Sequence, residues 1–306
     1  MKKRRQHHVW QHYLRSWTVD DQLFCLRNGE IFATGTNSVA VDRDFYKLHK
    51  LTAEDLALIK MLVIEPAHPL AKQHHEHLLM QLAGPSRFVE QNRDRLPNIE
   101  QFDELLDVHQ TNALEDYHAG IENSFLPLLD DILKRDLSFY ERDDDCINFF
   151  HFICTQQMRT KGVKARSIER VRTHDGKDLT RIWDIMTHMF AFNIGMSLFL
   201  ERKRRELVLI HNSTDVPFIT GDQPITNLRG DGIRPPDEVC FYYPVSPSLA
   251  LLLTEADKEP AFSTESLTSS QVAGLNRRML RACHSQLFGQ TKASLLPLKE
   301  LAAIQV

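Results

Sequence analysis

Apolar residues in this chain change period twice, and the changes divide it into three parts. Near the start, Trp10, Tyr13, Leu14 and Trp17 recur at i, i+3, i+4 and i+7, which predicts a helix over residues 7–17. On such a helix His7, Gln11 and Arg15 are spaced four apart on one face and reach a common point. The helix stops in the polar turn Thr18-Val19-Asp20-Asp21, and residues 1–5 read as a loose basic tail. Two apolar runs, 22–26 and 30–33, flank Arg27-Asn28-Gly29, and Asn-Gly between strands predicts a tight hairpin. Residues 38–41 and 44–48 add two short extended pieces.

Residues 52–205 carry the helical period almost throughout. Thr52-Ala53-Glu54-Asp55 opens a capped helix that runs toward Ile64 and is broken by Pro66 and Pro69. A second helix, 74–82, is ended by Gly84-Pro85, and a third starts at 98 and continues through Tyr117, Ile121, Phe125 and Leu128. Residues 143–158 are apolar on one side, and 179–200 form the most apolar helix of all. After 205 the texture becomes strand-like, at 206–210, 216–220, 240–245 and 249–253. An amphipathic helix over 266–283 and a last strand over 285–289 complete the chain. The fold class that follows is α+β, mostly helical, as one domain over 1–306. A mixed or antiparallel sheet is built from the N-terminal hairpin and the C-terminal strands (1–48 and 206–306), around a central helical insertion (49–205).

Composition narrows the setting. A chain of 306 residues, 42% hydrophobic and 25% charged, reads as soluble and has enough length for a sizeable core. Its net charge of −4 and pI near 6.4 give no general basic field, so a polyanion has to be held by a local patch. Five cysteines, an odd number without Cys-x-x-Cys, fit a reducing cytoplasm. Lys2-Lys3-Arg4-Arg5 is followed by no apolar region, so it is no secretory signal, and the apolar run 189–200 is too short to span a bilayer. A cytoplasmic protein without a membrane partner is expected.

Several clusters carry candidate chemistry, each with a plainer alternative. His7, Gln11 and Arg15 suit acid–base work or an anion, or form an exposed polar face over an aromatic anchor. In His74-His75-Glu76-His77, His74 and His77 have metal-ligand spacing but lack a third ligand at fitting spacing; a surface cluster is the other reading. Glu115-Asp116-Tyr117-His118 has the Glu-x-x-His spacing of carboxylate-bridged metal sites, with Glu122 one turn on, yet the second such motif is missing. Gln156, Gln157, Arg159 and Lys161 end an apolar helix, where they satisfy terminal carbonyls or point into a pocket. A buried strand runs through Gly221 into Asp222 and is stopped by Pro224; Asp222 is then a carboxylate on a rigid support or a turn cap. There is no phosphate-binding glycine loop, no zinc-finger spacing and no Gly-x-Ser-x-Gly around Ser246 or Ser248.

These same residues carry a family resemblance. His7-x-Val9-Trp10-Gln11-His12-Tyr13-Leu14-Arg15-x-Trp17 resembles the His-Tyr-Val-Pro-Gln-x-Tyr-Leu-Arg-x-Phe opening of the bacterial domain-of-unknown-function 4238 family. Trp10 stands where that opening has proline. Gln157-x-Arg159-Thr160, Phe218-Ile219-Thr220-Gly221-Asp222-Gln223-Pro224 and Tyr243-Pro244-Val245-Ser246-Pro247 with a late Leu275-Asn276 are similar to its later motifs. Lys161 and Gly221 replace a proline and a serine there. The resemblance implies an architecture and no reaction, and it singles out His7, Gln11, Arg15, Gln157, Arg159 and Asp222 as polar residues of a site.

Two readings follow. In the first the chain is a hydrolase of phosphodiester or nucleotide-type substrates. His7, Gln11 and Asp222 are catalytic, and Arg15, Gln157, Arg159, Gln223 and Asn276 bind substrate. Its cofactor is unassigned, with a divalent cation compatible, and its partner is nucleic acid or nucleotide. No dense carboxylate cluster for two-metal chemistry is present. Analogy with bacterial families of this kind places such a protein among nuclease-like stress or phage-defence effectors. In the second reading the same residues form a non-catalytic polar network that binds an anionic ligand or a partner. Convergence of His7, Gln157, Arg159 and Asp222 in space is the first test of either.

Overall fold

Asn28 and Gly29 take positive φ angles of 52° and 75°. The two-residue turn they make closes β2 (Gln22–Arg27) onto β3 (Glu30–Gly35), with Arg27 opposite Glu30, as the sequence predicts. In this computed structural model, which describes residues 1–230, 238–256 and 267–304, the other edge of β2 pairs with β10 (Leu287–Gly289). β10 in turn pairs with β6 (Thr220–Gly221), so the antiparallel sheet β3-β2-β10-β6 joins the two ends of the chain. A second antiparallel sheet is C-terminal only, in the order β5 (Arg205–His211), β9 (Leu249–Glu255), β8 (Phe241–Ser246) and β7 (Thr226–Asn227). β1 (Arg5–His7) and β4 (Val41–Arg43) form a separate ribbon.

Helices fill the middle of the chain. They are α2 (Ala53–Ile59, prolonged by a wider turn over Lys60–Ile64), α3 (Pro69–Gln91), α4 (Ile99–Leu133), α5 (Asp143–Met158), α6 (Lys161–Asp175) and α7 (Trp183–Leu200). α1 (Gln11–Leu14) precedes them, and α8 (Ser269–Ala282) and α9 (Lys292–Ile304) follow. The β5-β9-β8-β7 sheet is the central layer. One face of β8 and β9 (Phe241, Tyr243, Leu251, Leu253) packs on Phe125, Phe149, Phe150 and Phe152 of α4 and α5. The other face (Tyr242, Ala250, Leu252) packs on Leu26, Met279, Leu287 and Leu295. Burial on both faces is why these strands read as continuous apolar runs.

The first helix and the residues on either side of it, Trp10 and the tighter turn Arg15–Trp17, form a wedge between these layers. Tyr13 donates its hydroxyl to the Pro244 carbonyl at 2.7 Å and lies 2.6 Å from the Thr220 hydroxyl. Trp17 donates to the Phe218 carbonyl at 3.1 Å, and Trp10 packs edge-on against Phe152.

Several expected boundaries are corrected. Residues 7–17 are not one helix: main-chain pairing with β4 takes Arg5–His7, and the helix starts only at Gln11. The tail 1–5 is tied down by ion pairs of Lys2 with Asp107, Lys3 with Asp116 and Arg4 with Asp44. Residues 44–46 form a turn, and the strand expected at 38–41 begins only at Val41. α3 runs through Gly84-Pro85 because Leu78, Leu82 and Val89 keep one buried stripe across the lost hydrogen bond. Of 216–220 only Thr220 pairs, since Pro217 withholds a donor. The last amphipathic helix spans Ser269–Ala282, and Ser266 lies outside the described residues. α6 falls within the stretch 52–205 that reads as helical, and α9, with Leu295 and Leu298 buried, is a helix not expected from the sequence. Among the described residues no helix is long and apolar enough to cross a membrane, and all five cysteines are free thiols.

Two glycines test this packing in opposite directions. A Cβ at Gly221 would meet the Gln286 carbonyl oxygen at 2.9 Å, whereas one at Gly120, within α4, meets nothing within 4 Å. Gly221→Ala should destabilise by about 1–3 kcal/mol. Gly120→Ala should stabilise by about 0.5–1 kcal/mol. Equilibrium urea unfolding reads both, and a stable Gly221→Ala protein would contradict the close β6–β10 approach.

Candidate functional site

Arg159 caps the C-terminal end of α5 with only 3% of its surface exposed. A guanidinium taken out of water needs charged or hydrogen-bonding partners. Its Nη2 donates to Glu122 Oε1 at 2.6 Å and to Gln156 Oε1 at 2.7 Å, while its buried Nε has no partner. Gln156 is fully engaged: it also accepts from the Trp10 amide (3.2 Å) and donates to the His8 carbonyl (3.0 Å). Tyr46 donates to the Arg159 carbonyl at 2.9 Å. Gln6 holds the other side, donating to the Thr111 carbonyl and accepting from the Tyr46 amide.

Around this guanidinium gather ionisable groups from distant parts of the chain. The Arg159 charge acts on His7, His8 and Glu115, and on the buried Tyr243, whose hydroxyl is unpaired. Glu115 and Glu122 are seven residues apart on one face of α4, and both are half-buried, so the cluster borders solvent. Burial pushes the Glu115 carboxyl up to about 7, with Glu122 adding to the rise and Arg159 opposing it. Burial pushes His7 down, and its buried Nε2 has no partner. Burial holds His8 near 3, so its 4.0 Å approach to Asp42 is not an ion pair at neutral pH. Behind them His118 and His188 share one proton across 2.7 Å between their Nε2 atoms. With His188 Nδ1 against the Asp184 carbonyl at 2.7 Å, His118 Nε2 is the donor of that pair.

Of the residues expected to form the site, His7 is within reach of the Arg159 charge, without a direct bond to it. Gln11 instead donates to Thr36 Oγ1 at 3.1 Å, and Arg15 is exposed beside His12. The common face of His7, Gln11 and Arg15 does not exist, because Trp10 is extended (φ −56°, ψ 121°) and its amide is held by Gln156. Asp222 is buried, and its carboxylate accepts from the amides of His284 (2.7 Å), Ser285 (2.7 Å) and Gln286 (3.0 Å) and from the Ser285 hydroxyl (3.0 Å). Those four bonds fix the turn into β10. Gln223 donates to the Gln157 and Ile225 carbonyls and accepts from Thr160, which buttresses the α5–α6 corner. Asn276 pins the segment before β6, accepting from the Ile219 amide and donating to the Pro217 carbonyl. The Gln157 side chain is half-buried; its carbonyl is the part that Gln223 uses.

Tyr46 carries no signal in the sequence, whereas Glu115, Glu122 and Gln156 stand out there as separate clusters and join Arg159 only in the fold. The spacing of Glu115, His118 and Glu122 did mark one helix face, but in place of a metal it is Arg159 that faces Glu122. Among the described residues no three His, Cys, Asp or Glu side chains gather closely enough to hold a metal ion. His74 stacks flat on Phe192 at 3.7 Å, and His75 Nε2 lies 2.8 Å from Asn193 Oδ1.

The sequence profile described as Protein of unknown function (DUF4238) matches residues 5–293. The chain belongs to the DUF4238 family. No curated protein and no solved structure matches it. Within this DUF4238 chain, Trp10 keeps the φ of a proline at the place where the resembled motif has one. Gly221, in the place of that motif's serine, allows β6 to lie close against the Gln286 carbonyl.

Glu115 makes the cluster testable by pH. Its folded-state carboxyl titrates near 7 against an ordinary 4.5, so the fold favours the protonated form. Stability is lost as pH rises from 4.5 to 7, by about 3 kcal/mol in all. Glu115→Gln should therefore match wild type at pH 4 and be more stable at pH 8 by up to that amount. Urea unfolding at the two pH values checks it; equal effects at both would place Glu115 in water.

Proposed function

We propose that this protein is a hydrolase of phosphodiester or nucleotide-type substrates, with the scissile phosphate held at Arg159. The observation that carries the reading is a pair of buried, unpaired nitrogens, Arg159 Nε and His7 Nε2, in the same cluster as a carboxyl that titrates near neutrality. Arg159 Nε is a donor that suits an oxygen of a bound anion, and His7 Nε2 on a neutral imidazole is free to accept a proton. Neutral His7 takes a proton from the attacking water as the water oxygen bonds to phosphorus. Protonated Glu115 gives its proton to the leaving oxygen as that P–O bond breaks, and Arg159 holds the charge on the remaining oxygens. The charge of Arg159 is shared with Glu122, which suits a singly charged diester better than a dianion. Asp222 has no role in this scheme beyond holding its turn.

The non-catalytic reading is favoured by one specific observation, the paired bonds of Gln156, Arg159 and Glu122, which satisfy one another without a ligand.

Turnover of bis(p-nitrophenyl) phosphate, cyclic nucleotides and plasmid DNA, with and without Mg²⁺ or Mn²⁺, separates the two. The hydrolase reading expects kcat/KM to fall as pH rises through about 7, where Glu115 loses its proton. Glu115→Gln should lower the rate about 10²–10⁴-fold and abolish that limb. No turnover of any substrate, or a pH limb that survives Glu115→Gln, would leave the binding role.

A further inference from the structure

A net charge of −4 gives a polyanion no general attraction to this chain, so binding one requires a concentrated basic face. α8 provides the first half of such a face. Its buried side is Val272, Leu275, Asn276 and Met279; its exposed side carries Arg277, Arg278 and Arg281, and the helix contains no acidic residue. Arg281 lies one turn beyond Arg277 and Arg278, so the three guanidinium groups share a stripe.

α6 provides the other half. The chain leaves α8 through Cys283 and His284, and at that point the guanidinium of Arg166 and the Cβ of His284 both lie against Gly162. A methyl on Gly162 would meet them at 2.9 and 3.1 Å, and the Arg166 charge reaches the Cys283 thiol. Arg166, Arg277, Arg278, Arg281 and His284 are all exposed. Among the described residues, none of these four arginines lies within ion-pair distance of a carboxylate. At the near end Lys161, paired with Asp42, links the face to the Arg159 corner two residues away.

The chemistry of the face selects its occupant. α6, α8 and residues 283–286 contain no Phe, Tyr or Trp, so these elements themselves offer unpaired bases no ring to stack on. Exposed guanidinium groups without aromatic partners match backbone phosphates, which are regularly spaced on a duplex. We propose that the α6–α8 face binds the phosphate backbone of double-stranded nucleic acid without reading its sequence. As a statement about substrate, it rests on the hydrolase reading and makes that substrate a polymer.

Fluorescence anisotropy with a labelled 30-base-pair DNA duplex, the matching RNA duplex and the single strands, between 50 and 300 mM salt, tests this on the full chain. Four phosphate contacts predict a slope of log K against log salt near −3.6, about 0.9 per contact. The triple variant Arg277→Gln, Arg278→Gln, Arg281→Gln should reduce that slope by about 2.7, and Arg166→Gln by about 0.9. Removing charge elsewhere, with Lys203→Gln and Arg204→Gln, should leave it unchanged. Tighter binding of either duplex than of its strands supports the assignment. Preference for single strands, a slope indifferent to the arginines, or no binding at 50 mM salt overturns it. Binding is read without turnover: duplex affinity lost while small diesters are still cleaved sinks this face alone, and intact affinity without cleavage sinks the hydrolase reading alone.

Discussion

A buried guanidinium is the constraint from which much of this structure follows. Arg159 cannot be left alone out of water, and its partners come from three places: Glu122 on α4, Gln156 one turn earlier on α5, and the Tyr46 hydroxyl on its carbonyl. Gln156 then has one donor pair and one acceptor left over, and it uses them on His8 and Trp10. The N-terminal segment is therefore positioned by the same amide that satisfies the arginine. His7 lies in this cluster because its neighbour is clamped, and Glu115 titrates near neutrality because burial outweighs the arginine's pull.

Polar side chains do elsewhere what secondary structure does in simpler folds. Asp222 gathers three successive amides before β10 and so ends the loop that sets the β6–β10 pairing. Asn276 and Gln223 brace the segments either side of that pairing. With Tyr13 of the first helix and Trp17 just after it wedged onto Pro244 and Phe218, the two sheets and the helical layer share anchors. A polar residue common to a family motif can thus mark a brace as readily as a reacting group.

Legibility in the sequence tracked how local the deciding interaction was. The Asn28-Gly29 hairpin and the limits of α5 depend on neighbours in sequence and were readable to the residue or nearly so. In the opening segment the apolar period was sound, since Trp10, Tyr13, Leu14 and Trp17 are all buried. Its helical reading failed before Gln11, because a glutamine nearly 150 residues away holds the Trp10 amide. The same limit applies to the cluster. Glu115 and Glu122 showed their shared face by spacing, but nothing in spacing could place Arg159 opposite them and turn a metal-like motif into a salt-bridged one.

The sheet that joins the chain's two ends also sets an order of assembly. β2 is complete once Arg27 has been made, but its partner β10 begins at Leu287, about 260 residues later. At ordinary synthesis rates of about 5–20 residues per second the hairpin waits some tens of seconds with one strand edge open. Open edges invite pairing with other chains. The hairpin that forms most readily is thus the last to be covered, and nascent chains are most exposed to mispairing in the part whose local fold is best encoded.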